Sequence, residues 1–238
     1  SYGSNAKKAT KAVFDPSFYA APITNCRRLF YGFNQLETIE GMENLNTSAV
    51  TTMEQMFFAC SNLIAIDLSS LNTSQVTDMS NMFSNCGQAS ITFGQNFDTS
   101  QVTDMKYMFG GCKSTSLNLS MFDTSETLNM EYMFSNCYLL EEITFGPKFN
   151  TAKVTSMSHM FEGCRALTSL DLSSFRNSQT TNMSNMFSEC SLLASITFGP
   201  NFDTSQVSDM GFMFSQCKSL SLLDVSMFDT KGVTTMGG

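Results

Sequence analysis

The feature that most constrains the fold of this chain is a tandem repeat with a period near 26 residues. The pair Met-Phe, followed by a Cys three residues after the Phe, recurs seven times, with its cysteines at Cys60, Cys86, Cys112, Cys137, Cys164, Cys190 and Cys217. A drifted copy at Leu29-Phe30 precedes these seven, and Phe228 opens a further copy. One unit of this length cannot bury its own apolar side, whereas stacked units bury a continuous core. The repeat therefore predicts a solenoid of about nine coils.

Each unit contains two segments joined by a bend. In the first, Leu63-x-x-Ile66-x-Leu68, apolar residues two positions apart indicate a strand with one buried face. The bend, as in residues 97–100, is rich in short polar side chains that hydrogen-bond their own backbone. In the second segment, residues 102–112, apolar spacings of three and four predict a short strand followed by a helical turn. The predicted fold class is a repeat solenoid of the β-solenoid type, with short parallel strands.

A second periodicity is superimposed on the first. Coils alternate between an Asp/Asn type, such as Ile66-Asp67-Leu68-Ser69, and a Thr type, such as Ile91-Thr92-Phe93-Gly94. The full period is therefore a pair of coils, about 52 residues. We predict a single solenoid domain over residues 12–238, with an incomplete C-terminal coil. Residues 1–11, which contain three lysines, are predicted to be an N-terminal cover or linker.

The phrase Phe97-Asp98-Thr99-Ser100-Gln101-Val102-Thr103-Asp104-Met105, continued by Met108-Phe109 and Cys112, resembles a known repeat. It is similar to the 26-residue repeat of bacterial surface proteins, a branch of the BspA-like leucine-rich repeat proteins, and it recurs along almost the whole chain. The resemblance implies a leucine-rich-repeat-like solenoid and an extracellular or cell-surface location. It also implies a role in adhesion or host contact, and it carries no shared catalytic motif.

Charge and hydropathy exclude two classes of partner. The chain has 13 basic and 21 acidic residues, a formal net charge of -8. Because a nucleic-acid binder neutralises phosphates with a basic stripe, no nucleic acid is expected as a partner. No apolar segment is long enough to span a bilayer, so membrane insertion is not expected. The expected partners are a protein or glycan ligand on a solenoid face, or copies of the chain itself.

No catalytic residue, cofactor or metal site is predicted. His159 is the single histidine, and it occupies a variable position of the repeat, so no Ser-His-Asp or Cys-His arrangement stands out from the repeat. The cysteines lack the Cys-x-x-Cys and Cys/His spacings of zinc sites. The sequence is therefore interpreted as that of a protein that is not an enzyme.

The repeated cysteines have two interpretations. As small, soft side chains they suit a narrow buried row in the core. Alternatively, stacked residues about 4.8 Å apart fall within the Cα separation of a disulfide, so bridges between adjacent coils are possible in principle. An uninterrupted row offers no preferred pairing, which favours the first interpretation.

The outward position of the first strand is the predicted binding surface, because solenoids present such regular faces to their partners. Its alternative interpretation is an ordinary solvated sheet face. The predicted binding residues are Asp67, Thr92, Asn118, Thr144, Asp171, Thr197 and Asp224.

Three functions remain in consideration. The first is a non-catalytic extracellular scaffold for adhesion or for protein or glycan recognition. The second is a structural subunit of a filament, surface layer or virion fibre, assembling through its open ends and faces. The third is ice binding through a second row of hydroxyl side chains, interrupted by Leu128, whose members are Thr51, Thr77, Thr103, Thr155, Thr181, Ser208 and Thr234.

Overall fold

A computed structural model describes residues 8–87 and 90–237, which wind into a β-solenoid of short parallel strands. The predicted fold class is confirmed. The strands are β1 (Lys11–Val13), β2 (Thr38–Glu40), β3 (Ala65–Leu68), β4 (Ser90–Phe93), β5 (Ser116–Leu119), β6 (Glu142–Phe145), β7 (Ser169–Leu172) and β8 (Ser195–Phe198). Two short 3-10 helices, Pro16–Ala20 and Met42–Asn44, lie between the first strands. Of the predicted N-terminal cover, residues 1–7 lie outside the described part of the chain, and Lys11 already belongs to β1.

Strands β1 to β8, which come from the first segments of their coils, form four separate two-stranded parallel sheets. These sheets pair β1 with β2, β3 with β4, β5 with β6, and β7 with β8. In the last three sheets an Asp/Asn-type strand pairs with the following Thr-type strand, so that Asp67 lies opposite Thr92. Within a pair the backbones approach closely, since a Cβ atom on Gly94 would lie 2.2 Å from the carbonyl oxygen of Ser69. The pair of coils is therefore a structural unit.

Between pairs, aromatic rings take the place of strand hydrogen bonds. Phe93, at the end of β4, packs edge-to-face on Phe122 of the next coil, with ring centroids 5.1 Å apart. Phe145 and Phe175 repeat the contact at 5.3 Å between β6 and the coil of β7. These rings hold neighbouring pairs together while leaving a gap in the sheet.

The second segment forms an uninterrupted ladder. Seven single-residue parallel bridges link eight residues in succession, one in each coil: Thr52, Asp78, Asp104, Asn129, Ser156, Asn182, Asp209 and Thr235. The seven bridges correspond to seven complete turns of the solenoid. The backbone N–H of Cys26 donates to the carbonyl of Thr52 at 3.0 Å and joins one further coil at the N-terminal side. The estimate of about nine coils thus includes incomplete coils at the two ends.

The prediction of a helical turn at the end of the second segment is wrong in detail. Alternate N–H groups donate within the coil, as from Met56 to Met53, and those between them donate to the next coil, as from Phe57 to Met82 at 2.9 Å. Most coils place two residues in the left-handed region to achieve this, for example Gln55 at φ 56° and Ala59 at φ 58°. Apolar spacings of three and four arise here from successive turns, because each turn returns a side chain to the core.

The core is built from rows of identical side chains. One row is a stack of phenylalanine rings with centroids 5.3–5.8 Å apart and planes within 13° of parallel. Its members are Phe30, Phe57, Phe83, Phe109, Phe134, Phe161, Phe187 and Phe214. Each inner ring therefore buries both faces against its own copies, which a single coil could not provide.

A row of buried threonines satisfies the backbone at the bends, where no strand pairing exists. The hydroxyl of Thr124 donates to the carbonyl of Asn150 at 2.7 Å and accepts the N–H of the same residue at 2.7 Å. Thr99 makes the same pair of bonds to Asp123. This row, which the sequence analysis did not single out, consists of Thr47, Thr73, Thr99, Thr124, Thr151 and Thr204, with Asn177 between the last two.

All eight cysteines are free thiols in this structure, and seven of them are buried. The thiol of Cys60 donates to the carbonyl of Phe30 at 3.1 Å, and Cys164 donates to Phe134 at 3.1 Å. Burial raises the pKa of the Cys60 thiol from 9.0 to about 12, and it raises that of Cys164 well above 9.0. These thiols act as small core residues with a hydrogen bond to the preceding coil.

Replacing the buried Thr124 by Val should destabilise the fold by about 1–3 kcal/mol, because the partly buried N–H and C=O of Asn150 would both lose their partner. Urea denaturation measures this loss. The matched control is Thr103→Val, whose exposed hydroxyl donates to the carbonyl of Thr77 at 3.1 Å. There water can replace the bond, and the change should stay within about 0.5 kcal/mol. Equal losses in the two variants would contradict the structural role of the buried row.

The thiols should be unreactive in the folded chain and fully reactive in the unfolded chain. Titration with a thiol-specific reagent in guanidinium chloride, without reductant, should count eight thiols. In native buffer only the half-buried Cys217 should react readily. Folding raises the pKa of the Cys60 thiol, so the protonated thiol contributes fully to the free energy of unfolding below pH 9.0. This contribution is lost as the pH rises towards about 12. A count below eight in denaturant would instead indicate disulfides between coils.

Candidate binding faces

The strand face carries the seven binding residues predicted from the sequence. All seven side chains are exposed: Asp67, Thr92, Asn118, Thr144, Asp171, Thr197 and Asp224. The structure brings six of them together as three cross-strand pairs, and it does not form a continuous row, because the sheets are two-stranded. Asp224 lies in a coil to which no strand is assigned.

The acidic members of this face already stabilise their own turns. One carboxylate oxygen of Asp171 accepts the backbone N–H of Ser173 at 2.9 Å, and Asp67 accepts that of Ser69 at 2.9 Å. Hydrogen bonds from the side chain and the backbone of Ser69 lower the pKa of Asp67. The Asp67 carboxylate is therefore ionised at neutral pH.

The outward threonine row considered for ice binding has its hydroxyls engaged. Thr103 donates to the carbonyl of Thr77 at 3.1 Å, and Thr155 donates to that of Leu128 at 3.2 Å. Each of these hydroxyls therefore offers only its acceptor lone pairs to water in this arrangement.

A second surface, beside the bridge ladder, carries three rings that we call the aromatic stack: Tyr107, Tyr132 and His159. Their centroids are 4.4 and 4.3 Å apart, and the planes of successive rings lie within 6° of parallel. All three side chains are partly exposed. The stack follows the axis of the solenoid over three successive coils.

Each ring of the aromatic stack belongs to a residue whose backbone is in the left-handed conformation. The φ angles are 54°, 57° and 58° for Tyr107, Tyr132 and His159, and the coils on either side have Asn81 and Asn185 at the same position. Asparagine tolerates this region well, whereas aromatic residues rarely adopt it. The sequence analysis recognised this position as variable but missed both its backbone conformation and the stack. The asparagines were the available signal, since they indicate a left-handed turn.

Charged groups border the aromatic stack. Lys106 pairs with Glu131 at 2.6 Å, and its ammonium lies 5.9 Å from the centre of the Tyr132 ring. Burial works against ionisation of Glu131, but hydrogen bonds from Lys106 and Ser156 lower the pKa of this carboxyl below its usual value. We call Lys106, Glu131, Glu162 and the aromatic stack together the aromatic patch.

The last acidic member of the patch contacts the imidazole. Nδ1 of His159 lies 3.0 Å from Oε2 of Glu162. Burial raises the pKa of the neighbouring Tyr107, so that its phenol stays protonated and able to donate a hydrogen bond. The patch thus offers ring edges, hydroxyls and paired charges of both signs.

Two further classes of site were sought within the described ranges, residues 8–87 and 90–237. No group of three or more His, Cys, Asp or Glu side chains there is arranged to hold a metal ion. Nor does this part of the chain contain a helix of the length and apolarity required to cross a membrane.

Two solved structures match: a leucine-rich repeat protein from Bacteroides ovatus, 18% identical with a TM-score of 0.42, and one from Eubacterium ventriosum, 16% identical with a TM-score of 0.33. The matches cover 97% and 96% of this chain, and 63% and 75% of the two solved chains. This chain therefore spans less than two thirds of the Bacteroides ovatus protein. None of the curated proteins matches.

One family model matches the chain in four overlapping segments, residues 5–94, 24–145, 144–198 and 170–238. Its description is "Mycoplasma protein of unknown function, DUF285". Together the segments extend over nearly all of the chain, including every coil described above. The chain is a repeat protein that belongs to this DUF285 family.

Proposed function

We propose that this chain is a non-catalytic recognition scaffold at the cell surface, acting in adhesion through a protein or glycan partner. The observation that carries the proposal is the aromatic stack, where three successive coils place partly exposed, parallel rings at one left-handed position. The resemblance of the repeat to bacterial surface proteins supports the cellular setting. The solenoid supports the role of scaffold, because it presents the same positions at regular intervals.

Stability does not account for the aromatic stack. A left-handed conformation costs an ordinary residue on the order of 1–2 kcal/mol, and Asn less. Each pair of stacked rings returns about 0.5–1.5 kcal/mol. Because Asn pays part of the same cost, the extra cost of three left-handed aromatic residues is of the same order as the return from two ring pairs. The left-handed conformation is shared with the other coils, so the partly exposed aromatic side chains, and not the backbone strain, distinguish these three positions.

The chemistry of the aromatic patch suits a macromolecular partner. Tyrosine provides a large, rigid contact with a polar tip, and it is enriched in recognition surfaces for this reason. Lys106 and Glu131 neutralise each other, so the patch has no single strong charge that would favour a polyanion. Mixed hydrogen-bonding groups around ring edges fit a protein surface or a glycan.

The strand face forms the second part of the proposal. Its exposed Asp, Asn and Thr side chains repeat along the solenoid with free polar atoms. A partner longer than one coil could contact several of them at once, and each weak contact would add to the total affinity. The aromatic patch and the strand face would then act as two contact surfaces of one scaffold.

The test is the triple variant Tyr107→Asn, Tyr132→Asn, His159→Asn. Its free energy of unfolding should change by no more than about 1 kcal/mol, because the lost ring contacts are offset by relief of left-handed strain. Its binding to cultured epithelial cells, mucin, fibronectin and collagen should fall at least about tenfold, as expected for loss of central aromatic contacts. The matched control replaces three exposed bend residues, Gln75→Asn, Gln101→Asn and Gln206→Asn, and should bind like the parent chain.

Two results would overturn the proposal. One is equal binding by the triple variant and the control. The other is a parent chain that binds none of these surfaces and instead forms concentration-dependent assemblies in light scattering. The second result would favour the structural subunit, in which copies of the chain are the partners.

A further inference from the structure

A cleft lies in the strand face between β6 and β7, which belong to different sheets. It encloses a cavity of about 320 Å³ that opens to solvent. From the β6 side it is lined by Thr144, Phe145 and Pro147, and from the β7 side by Asp171 and Ser174. We propose that this cleft binds a single neutral hexopyranose ring.

The size of one side chain leaves the cleft open. At this position the four coils of the Asp/Asn type have Ser70, Met121, Ser174 and Met227. The two methionines are 38% and 41% exposed. The Ser174 side chain is too short to cover the equivalent space, so the gap between β6 and β7 stays open.

The hydroxyl of Ser174 is evidence that the cleft binds a ligand. Its oxygen is buried and has no hydrogen-bond partner in the structure. A buried hydroxyl without a partner is unfavourable, because it has given up its bonds to water. The methionines of the matched coils show that the repeat accepts an apolar side chain here. Rotation of the Ser174 side chain about its Cα–Cβ bond would turn the hydroxyl into the cleft, where a ligand hydroxyl would supply the missing bond.

The lining selects the class of ligand. Hydroxyls of Thr144 and Ser174 and the second carboxylate oxygen of Asp171 provide donors and acceptors within one small space. Phe145 is partly exposed there and offers an apolar wall for the C–H face of a sugar ring. No basic side chain lines the cleft, and Asp171 would repel an acidic sugar. A cavity of about 320 Å³ is at the lower end for ligand sites, which limits the occupant to one ring.

This inference rests on the proposed role of the strand face and names its ligand. The aromatic patch takes no part in it. Because the two surfaces carry separate variants, failure of one is distinguishable from failure of the other. Loss of cell binding in the triple aromatic variant, with no sugar binding by the parent chain, would leave the scaffold standing and reject the cleft.

The experiment is saturation-transfer NMR on the whole chain with the methyl glycosides of glucose, galactose, mannose and N-acetylglucosamine. At least one should show transfer, with weak affinity because the contact is a single ring. Ser174→Met should lower that affinity at least about tenfold while leaving the chain folded, since Met is native at this position in two other coils. Asp171→Asn should weaken binding less, because its amide oxygen keeps the bond to Ser173 while its amide nitrogen can donate to a sugar hydroxyl.

The matched gain-of-function variant is Met121→Ser, which should open the equivalent cleft between β4 and β5. There Thr92, Phe93 and Asn118 stand where the binding cleft has Thr144, Phe145 and Asp171. A second binding event in this variant would support the inference. Absence of transfer from all four glycosides, or an undiminished affinity in Ser174→Met, would overturn it.

Discussion

The backbone hydrogen bonds of the second segment are the interaction on which the rest of this structure depends. They join every coil to the next without interruption from Thr52 to Thr235. To form them, the segment must direct alternate N–H groups out of its own coil, which requires two left-handed residues in most coils. Once this ladder sets the spacing, identical core residues lie above one another, and rows of Phe and buried Thr follow from the repeat.

Because the second segment fixes the stacking of the coils, the strands of the first segments need not form one continuous sheet, and they pair in twos. Within a pair the backbones meet directly, and between pairs Phe93 and its copies provide the contact. The strand face is therefore divided into units of two coils separated by gaps. A single small residue, such as Ser174, can turn such a gap into a pocket without disturbing the rest of the solenoid.

The two candidate surfaces arise from the same principle. In a repeat protein the regular positions secure the fold, so functional features can appear as local departures that the neighbouring coils support. The aromatic stack has rings at a left-handed position where neighbouring coils have Asn, and the cleft has Ser at a position where two other coils have Met. Both departures are visible only once the equivalent positions of the other coils are known.

The sequence by itself determined the solenoid, its period, the strand positions and the paired coil types, because each follows from the spacing of apolar residues. It also determined which side chains lie outward on the strand face, as for Asp67 and Thr144. Only the tertiary structure decided the left-handed turns, the hydrogen-bonding role of Thr124, the aromatic stack and the open cleft beside Ser174. These features depend on contacts between residues about 26 positions apart and on backbone angles, and hydrophobic periodicity carries no information on either.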